Sequence, residues 1–185
     1  MEKMAFEMRV GNETFDRTKT VSGIYIDADN KAAEVGNGML AIIADRTENE
    51  GYTGRVNESG YKMKAASASD TVVYAAASVN APGAEVSDSV YRIGIKLGAT
   101  IPAGECIAWK RIDDLDIVAF GEGSLSEALS EEKPYATISE GKLIPTADKP
   151  ATKGVYFELV REDKFVRGAC PAFAKYVVQA HITLA

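Results

Sequence analysis

Short runs of apolar or strictly alternating residues recur along this chain, and turn residues separate them. The run MLAIIA (39–44) follows Gly-Asn-Gly, VVYAAA (72–77) is closed by Asn80-Ala81-Pro82-Gly83, and LDIVAF ends at Phe120. In VYRIGIKL, Tyr91, Ile93, Ile95 and Leu97 share one face while Arg92, Gly94 and Lys96 share the other, the period of a half-buried strand. Ile101-Pro102-Ala103-Gly104 then suits a type I turn, so 90–112 reads as a hairpin with Cys106–Ile112 as its second strand. Further on come YATIS, a turn at Glu140-Gly141-Lys142, and VYFELV with Val155, Phe157 and Leu159 alternating. KYVVQAHITL finally puts Tyr176, Val178, Ala180, Ile182 and Leu184 on one face. Many short strands divided by Gly, Pro, Asn and Asp predict a mainly β chain, an antiparallel β-sandwich or barrel-like domain.

Before Gly23 the pattern fails. Residues 1–20 mix four acids with four bases and keep no apolar period, which predicts an extended N-terminal arm over 1–22 ahead of a β-rich domain over 23–185. Whether that domain divides into two subdomains near 125–140 stays open. A weak internal echo, Asn37-Gly38-Met39-Leu40 against Glu140-Gly141-Lys142-Leu143, is too short to argue a duplication.

A chain of 185 residues with 46% apolar content can bury a core without staples. No apolar stretch reaches the ~18 residues of a membrane span, and the N-terminus lacks the apolar stretch of a signal peptide. Net charge is −6 with dispersed Lys and Arg, which argues against nucleic acid as a partner, since phosphate binding needs clustered cations. Cys106 and Cys170 lie far apart and read as buried thiols of a protein made in the cytoplasm.

The stretch AFGEGSLSEALSEE (119–132) raises the one explicit question of chemistry. A strand, Gly121-x-Gly123 and a helix pattern outline a phosphate loop. However, Glu122, Glu127, Glu131 and Glu132 would repel an anion, and no Lys-Ser/Thr follows the glycines. Ser124-x-x-Glu127 instead fits a capping box at the start of a short helix over about 124–132. Asp113, Asp114 and Asp116 could contribute oxygens to a divalent cation, but they lack the distal Glu of such loops and read as a solvated turn. His181, the only histidine, lies opposite the apolar face of its strand and reads as an exposed or interface residue. Trp109 reads as core or interface packing. VREDKFVRGACPAF mixes Arg161, Lys164 and Arg167 with Phe165 and Phe173, a combination able to dock a partner protein. No nucleophile–base pair or metal-ligand set emerges. The expectation is therefore a non-enzyme with no catalytic, cofactor-binding or metal residues.

The order of phrases resembles that of capsid decoration and head-fibre proteins of tailed bacteriophages. Gly-Asn-Gly-Met-Leu (36–40), a polar loop, VVYAAAS, VYRIGIKLGATIPAGE, an acidic turn and IVAFGEG carry the resemblance, over about residues 35–125. It implies a virion structural protein, made in the bacterial host cytoplasm, that binds the outer surface of the assembled shell and does no chemistry. The implied partners are the major capsid protein and further copies of itself; an N-terminal arm suits shell binding, although some members lack one. A tail-tube or head–tail connector subunit is the alternative among virion proteins. A small β-fold hydrolase or carbohydrate-binding module is the alternative of another class, disfavoured by the missing catalytic set and the single Trp.

Overall fold

The computed structural model describes residues 6–10, 19–46, 60–77, 100–165 and 173–184. Their thirteen strands form a closed five-stranded barrel, a six-stranded sheet and a small two-stranded ribbon. The barrel runs Thr20–Tyr25 (β2), Tyr61–Ala65 (β5), Leu40–Arg46 (β4), Val73–Ala76 (β6), Cys106–Ile112 (β8) and back to β2. All its pairings are antiparallel except β2 with β5. The ribbon pairs Val35–Gly36 (β3) with Thr100–Ile101 (β7). In the antiparallel sheet the order is Phe6–Val10 (β1), Ile117–Gly121 (β9), Phe173–Thr183 (β13), Gly154–Phe165 (β12), Tyr135–Ser139 (β10) and Lys142–Thr146 (β11). The described residues are thus mainly β, with a closed barrel and two further sheets.

Two cores explain why some strands read as alternating and others as continuous apolar runs. The barrel interior holds Ala41, Met63, Tyr74, Ala76, Ile107 and a fully buried Trp109. Trp109 Nε1 donates to Gly23 O at 3.0 Å, so its one polar atom is satisfied inside. A larger core lies between the barrel wall and one face of the sheet. It joins Leu40, Val73, Ala75 and Ile112 to Val118, Phe120, Val155, Phe157, Tyr176, Val178 and Ala180. β6 is covered on both faces, and so is β4 at Leu40 and Ala41, which accounts for the apolar residues there, whereas Ile43 and Ala44 at the far end of MLAIIA are exposed. β12 and β13 bury one face in the larger core, and they alternate.

The structure adds detail at the N-terminal segment and at the changeover from barrel to sheet, and it corrects the short helix and the burial of Cys106. Phe6–Val10 is an edge strand in register with β9, and Phe6 packs on Phe120 with ring centroids 5.4 Å apart. Thr20 to Ser22 already belong to β2. An edge strand held by backbone pairing needs little apolar period, so this strand is compatible with an extended segment that lies on the rest of the fold. The changeover from barrel to sheet falls at Asp113–Asp116, ahead of 125–140, and the shared core runs across it. The expected helix is absent: a three-residue 3-10 turn, Glu122–Ser124, stands in its place. Leu125 and Leu129 are both buried in the shared core. Leu125 does so by bridging to Leu143 in parallel, and the Ser126 N–H donates to Leu143 O at 2.9 Å, so this backbone serves the edge of β11. Cys106–Ile112 is a strand as expected, whereas 78–99, including Tyr91 to Leu97, lie outside the described residues. So does Cys170; Cys106 is a thiol at the surface, not in the core.

Barrel and sheet are joined backbone to backbone at two glycines. The β10–β11 hairpin turns at Glu140 and Gly141 with φ of 49° and 74°, the signs of a type I′ turn. Gly141 O accepts from Leu40 N at 2.8 Å, Gly141 N donates to Ala66 O at 3.0 Å, and Ala66 N donates to Leu40 O at 3.0 Å. A Cβ on Gly141 would lie 2.7 Å from Leu40 O. At the start of β12, Gly154 has φ of 141°, and a Cβ there would lie 1.8 Å from Ala68 O. Its neighbour Val155 donates to Asp70 O at 2.9 Å. Gly104 also has positive φ, 86°, but has open space around it.

The three glycines therefore separate conformational strain from steric exclusion. Gly104→Ala should lose about 1 kcal/mol, the left-handed penalty alone. Gly141→Ala should lose about 2–4 kcal/mol and Gly154→Ala at least as much, because backbone must also move. Urea unfolding of the three variants checks the order; equal losses would contradict the seam.

Candidate functional site

The D-D-x-D segment is a corner that ties barrel to sheet. Asp113, at the end of β8, pairs with Lys19 and with Arg111, whose Nε lies 2.8 Å from its carboxylate. Asp114 Oδ1 accepts from Ile182 N at 2.9 Å, and buried Asp116 accepts from Asp113 N at 2.9 Å. Leu115 N donates to Ala180 O and Ala180 N to Asp116 O, both at 2.8 Å. The carboxylates are thus engaged by separate partners and do not converge on a common point. Among the described residues no group of three or more His, Cys, Asp or Glu is placed to hold a metal ion.

Burial works against the charge of Asp113, but hydrogen bonds and charges from Lys19 and Arg111 outweigh it and hold its pKa below the ordinary value. Asp116 is pushed up, first by burial and further by the Asp113 charge, against a hydrogen bond from the Asp113 backbone.

The glycine loop takes no phosphate-cradling form. Gly121 is extended at φ −75°, ψ 157°, and neither Gly121 nor Gly123 has positive φ, so the N–H groups do not converge as an anion nest requires. Glu122 Oε2 instead lies 3.4 Å from Ala174 N of β13. Ser124 is not a helix cap: its hydroxyl is buried with no hydrogen-bond partner. Glu127 pairs with Lys133 at 2.7 Å on the surface.

On the sheet face turned away from the core, cross-strand register assembles a cluster that was not legible in the sequence. His181 is paired with Tyr156, and their rings stack at 4.9 Å and 19°. Tyr135 meets Tyr156 edge to face at 6.3 Å, Lys149 Nζ lies 5.7 Å from the Tyr156 centroid, and contact with the Tyr156 hydroxyl raises the Lys149 pKa. Glu158 Oε2 is 3.3 Å from His181 Nε2, within ion-pair distance although not in hydrogen-bond geometry. His181 is half-buried, more enclosed than its sequence position suggested. Tyr156 is buried, with one ring face stacked on His181, so this ring offers solvent no flat platform.

The most prominent surface element is the β12–β13 hairpin. Its pairing runs from Gly154↔Thr183 to Phe165↔Phe173, with a bulge at Val160. β9 pairs with β13 only from Lys175 to Gln179, and β10 with β12 only at Phe157 and Glu158. Beyond these, among the described residues, the two strands have only each other as strand partners. Val160 is 51% exposed, and Arg161, Glu162 and Asp163 are exposed beside it. This is the first half of the segment VREDKFVRGACPAF; residues 166–172 lie outside the described residues.

No protein-family model, curated protein or solved structure matches this chain. No helix among the described residues is long and apolar enough to cross a membrane.

Two outcomes test these assignments. Ser124→Ala should leave stability unchanged or raise it, because the hydroxyl it removes is buried and unsatisfied; a loss of about 0.5–2 kcal/mol would restore the helix cap. Asp113, with a lowered pKa, contributes stability present above about pH 4 and lost as pH falls through its folded value. Asp116, with a raised pKa, opposes folding above its folded value, and that opposition fades on acidification. Asp113→Asn should thus flatten the acid limb of the stability–pH curve, whereas Asp116→Asn should keep or raise stability at pH 7. Thermal midpoints from pH 2 to 7 measure both.

Proposed function

We propose that this chain is a phage virion structural protein that binds the outer surface of an assembled capsid and stabilises or decorates the shell through protein–protein interfaces. Its partners on this reading are the major capsid protein and further copies of itself, and it works on the virion without performing a reaction. The layout of its phrases over about residues 35–125 supports the reading from the sequence. On the structure, the observation that supports it is β12, which beyond Glu158 has no strand on its β10 side among the described residues and carries exposed Val160 next to Arg161 on that open edge. A long, sheet-anchored hairpin holds such side chains at little ordering cost, which favours binding. The same barrel and sheet could pack in a tail tube or connector ring. The burial of Tyr156 against the stacked His181 ring speaks against a carbohydrate module, because sugar platforms need open ring faces.

Co-sedimentation with purified capsids tests the proposal. The protein should pellet with assembled shells and not with unassembled capsid subunits. The double variant Val160→Asp, Arg161→Glu should bind at least about tenfold more weakly with its thermal midpoint unchanged, as expected for contact residues worth over 1 kcal/mol. Absence of pelleting, or full binding by the double variant, would contradict the proposal.

A further inference from the structure

β1 belongs to the sheet, but β2, the next strand along the chain, belongs to the barrel. Among the described residues β9 is the one strand that pairs with β1. Their register runs from Phe6↔Phe120 to Val10↔Ile117, with an irregularity between Met8 and Val10. Phe6 is half-buried and packs on Phe120 at the margin of the shared core. Backbone pairing and this ring contact are interactions that the same strand of another copy reproduces in full.

The connector from β1 to β2 is longer than its anchor points require. At one end Val10 pairs with Ile117, the first residue of β9. At the other, Lys19 pairs with Asp113 at the barrel-to-sheet corner, and Thr20 opens β2 opposite Lys110. A turn closes Asp113 on Asp116, whose N–H donates to Asp113 O at 3.3 Å, and such a turn holds the two Cα atoms within about 7 Å. One further Cα step of about 3.8 Å puts Ile117 within about 11 Å of Asp113. Both anchors therefore sit at one corner, whereas the nine steps from Val10 to Lys19 can span about 30 Å. Residues 11–18, GNETFDRT, carry no large apolar side chain apart from Phe15. A connector that pivots on the Lys19–Asp113 pair can carry β1 to a neighbouring molecule and leave the corner intact.

We infer that β1 is an exchangeable strand, seated on β9 of its own chain in dispersed molecules and on β9 of a second copy where copies are crowded. Exchange replaces each Phe6–Phe120 contact by the same contact between chains, so the two forms differ mainly in the path of the connector. The closed form is an intramolecular pairing, to which a short connector gives an effective concentration in the millimolar range. Dispersed copies remain closed, and copies held side by side at comparable local concentration exchange reciprocally. Exchange needs only the purified chain, so its failure and a failure of shell binding are separate results.

Cysteine cross-linking is the experiment. Two chains, both with Cys106→Ser and Cys170→Ser, carry either Glu7→Cys or Ala119→Cys, positions that face each other across the β1–β9 ladder. Ala119 is fully buried, so a thiol there is reached by a strand seated on β9 and not by chance encounter. Mixed, equilibrated overnight and oxidised, the two chains should form disulfide-linked heterodimer. At least tenfold more per chain should form at about 2 mM than at about 20 μM, the two sides of the effective concentration of closure. One chain carrying both substitutions should close internally at the lower concentration. Val10→Cys with Ile117→Cys repeats the assay at a second paired position if Ala119→Cys does not fold. No heterodimer from folded chains at the higher concentration, or equal amounts at both, would overturn exchange. So would a doubly substituted chain that fails to close internally, because β1 would then not seat on β9.

Discussion

Leu40, Ala66 and Gly141 close a ring of three backbone hydrogen bonds in which a hairpin turn of the sheet is seated on the barrel wall. The contact works only because Gly141 has no Cβ and turns with positive φ. Gly154 repeats the arrangement on the 67–70 turn, where it leaves even less room. Together they set the distance between barrel and sheet, and therefore which side chains fill the space between. Leu40 belongs to both devices: its backbone is in the ring and its side chain is fully buried in the shared core. The Asp113–Asp116 corner adds a third tie on the covalent path between the two parts.

Strand positions were legible wherever one face is buried and the other wet, as in VYFELV and KYVVQAHITL. The barrel was less so. β6 and the Leu40–Ala41 start of β4 are enclosed on both faces and give apolar runs that fit several architectures. The parallel pairing of β2 with β5 leaves no local trace. Neither does β1, whose place is set by backbone register with β9. The helix expected at 124–132 failed for a tertiary reason. Leu125 and Leu129 reach the core from extended chain, because the Ser126 N–H is spent on β11. Glu140-Gly141-Lys142 was recognised as a turn, but nothing local says that it docks on Leu40, the other half of the sequence echo.

The candidate contact surfaces were visible in the sequence only as composition. Arg161 beside an apolar strand is ordinary until register shows β12 running past β10. His181 gained its environment through pairing with Tyr156, twenty-five positions earlier. What emerges is a β body whose barrel and sheet are joined at glycine seams.

The central claim is that barrel and sheet are one cooperative unit locked by the Gly141 ring. Native-state amide hydrogen exchange tests it most directly, because the ring contributes three N–H groups at the joint. The account predicts that the Leu40, Ala66 and Gly141 amides exchange only through global unfolding, with the same free energy and denaturant slope as core amides of β6 and β13. Exchange of those three through a low-energy local opening, while β6 and β13 stay protected, would show that the two parts separate and would contradict it.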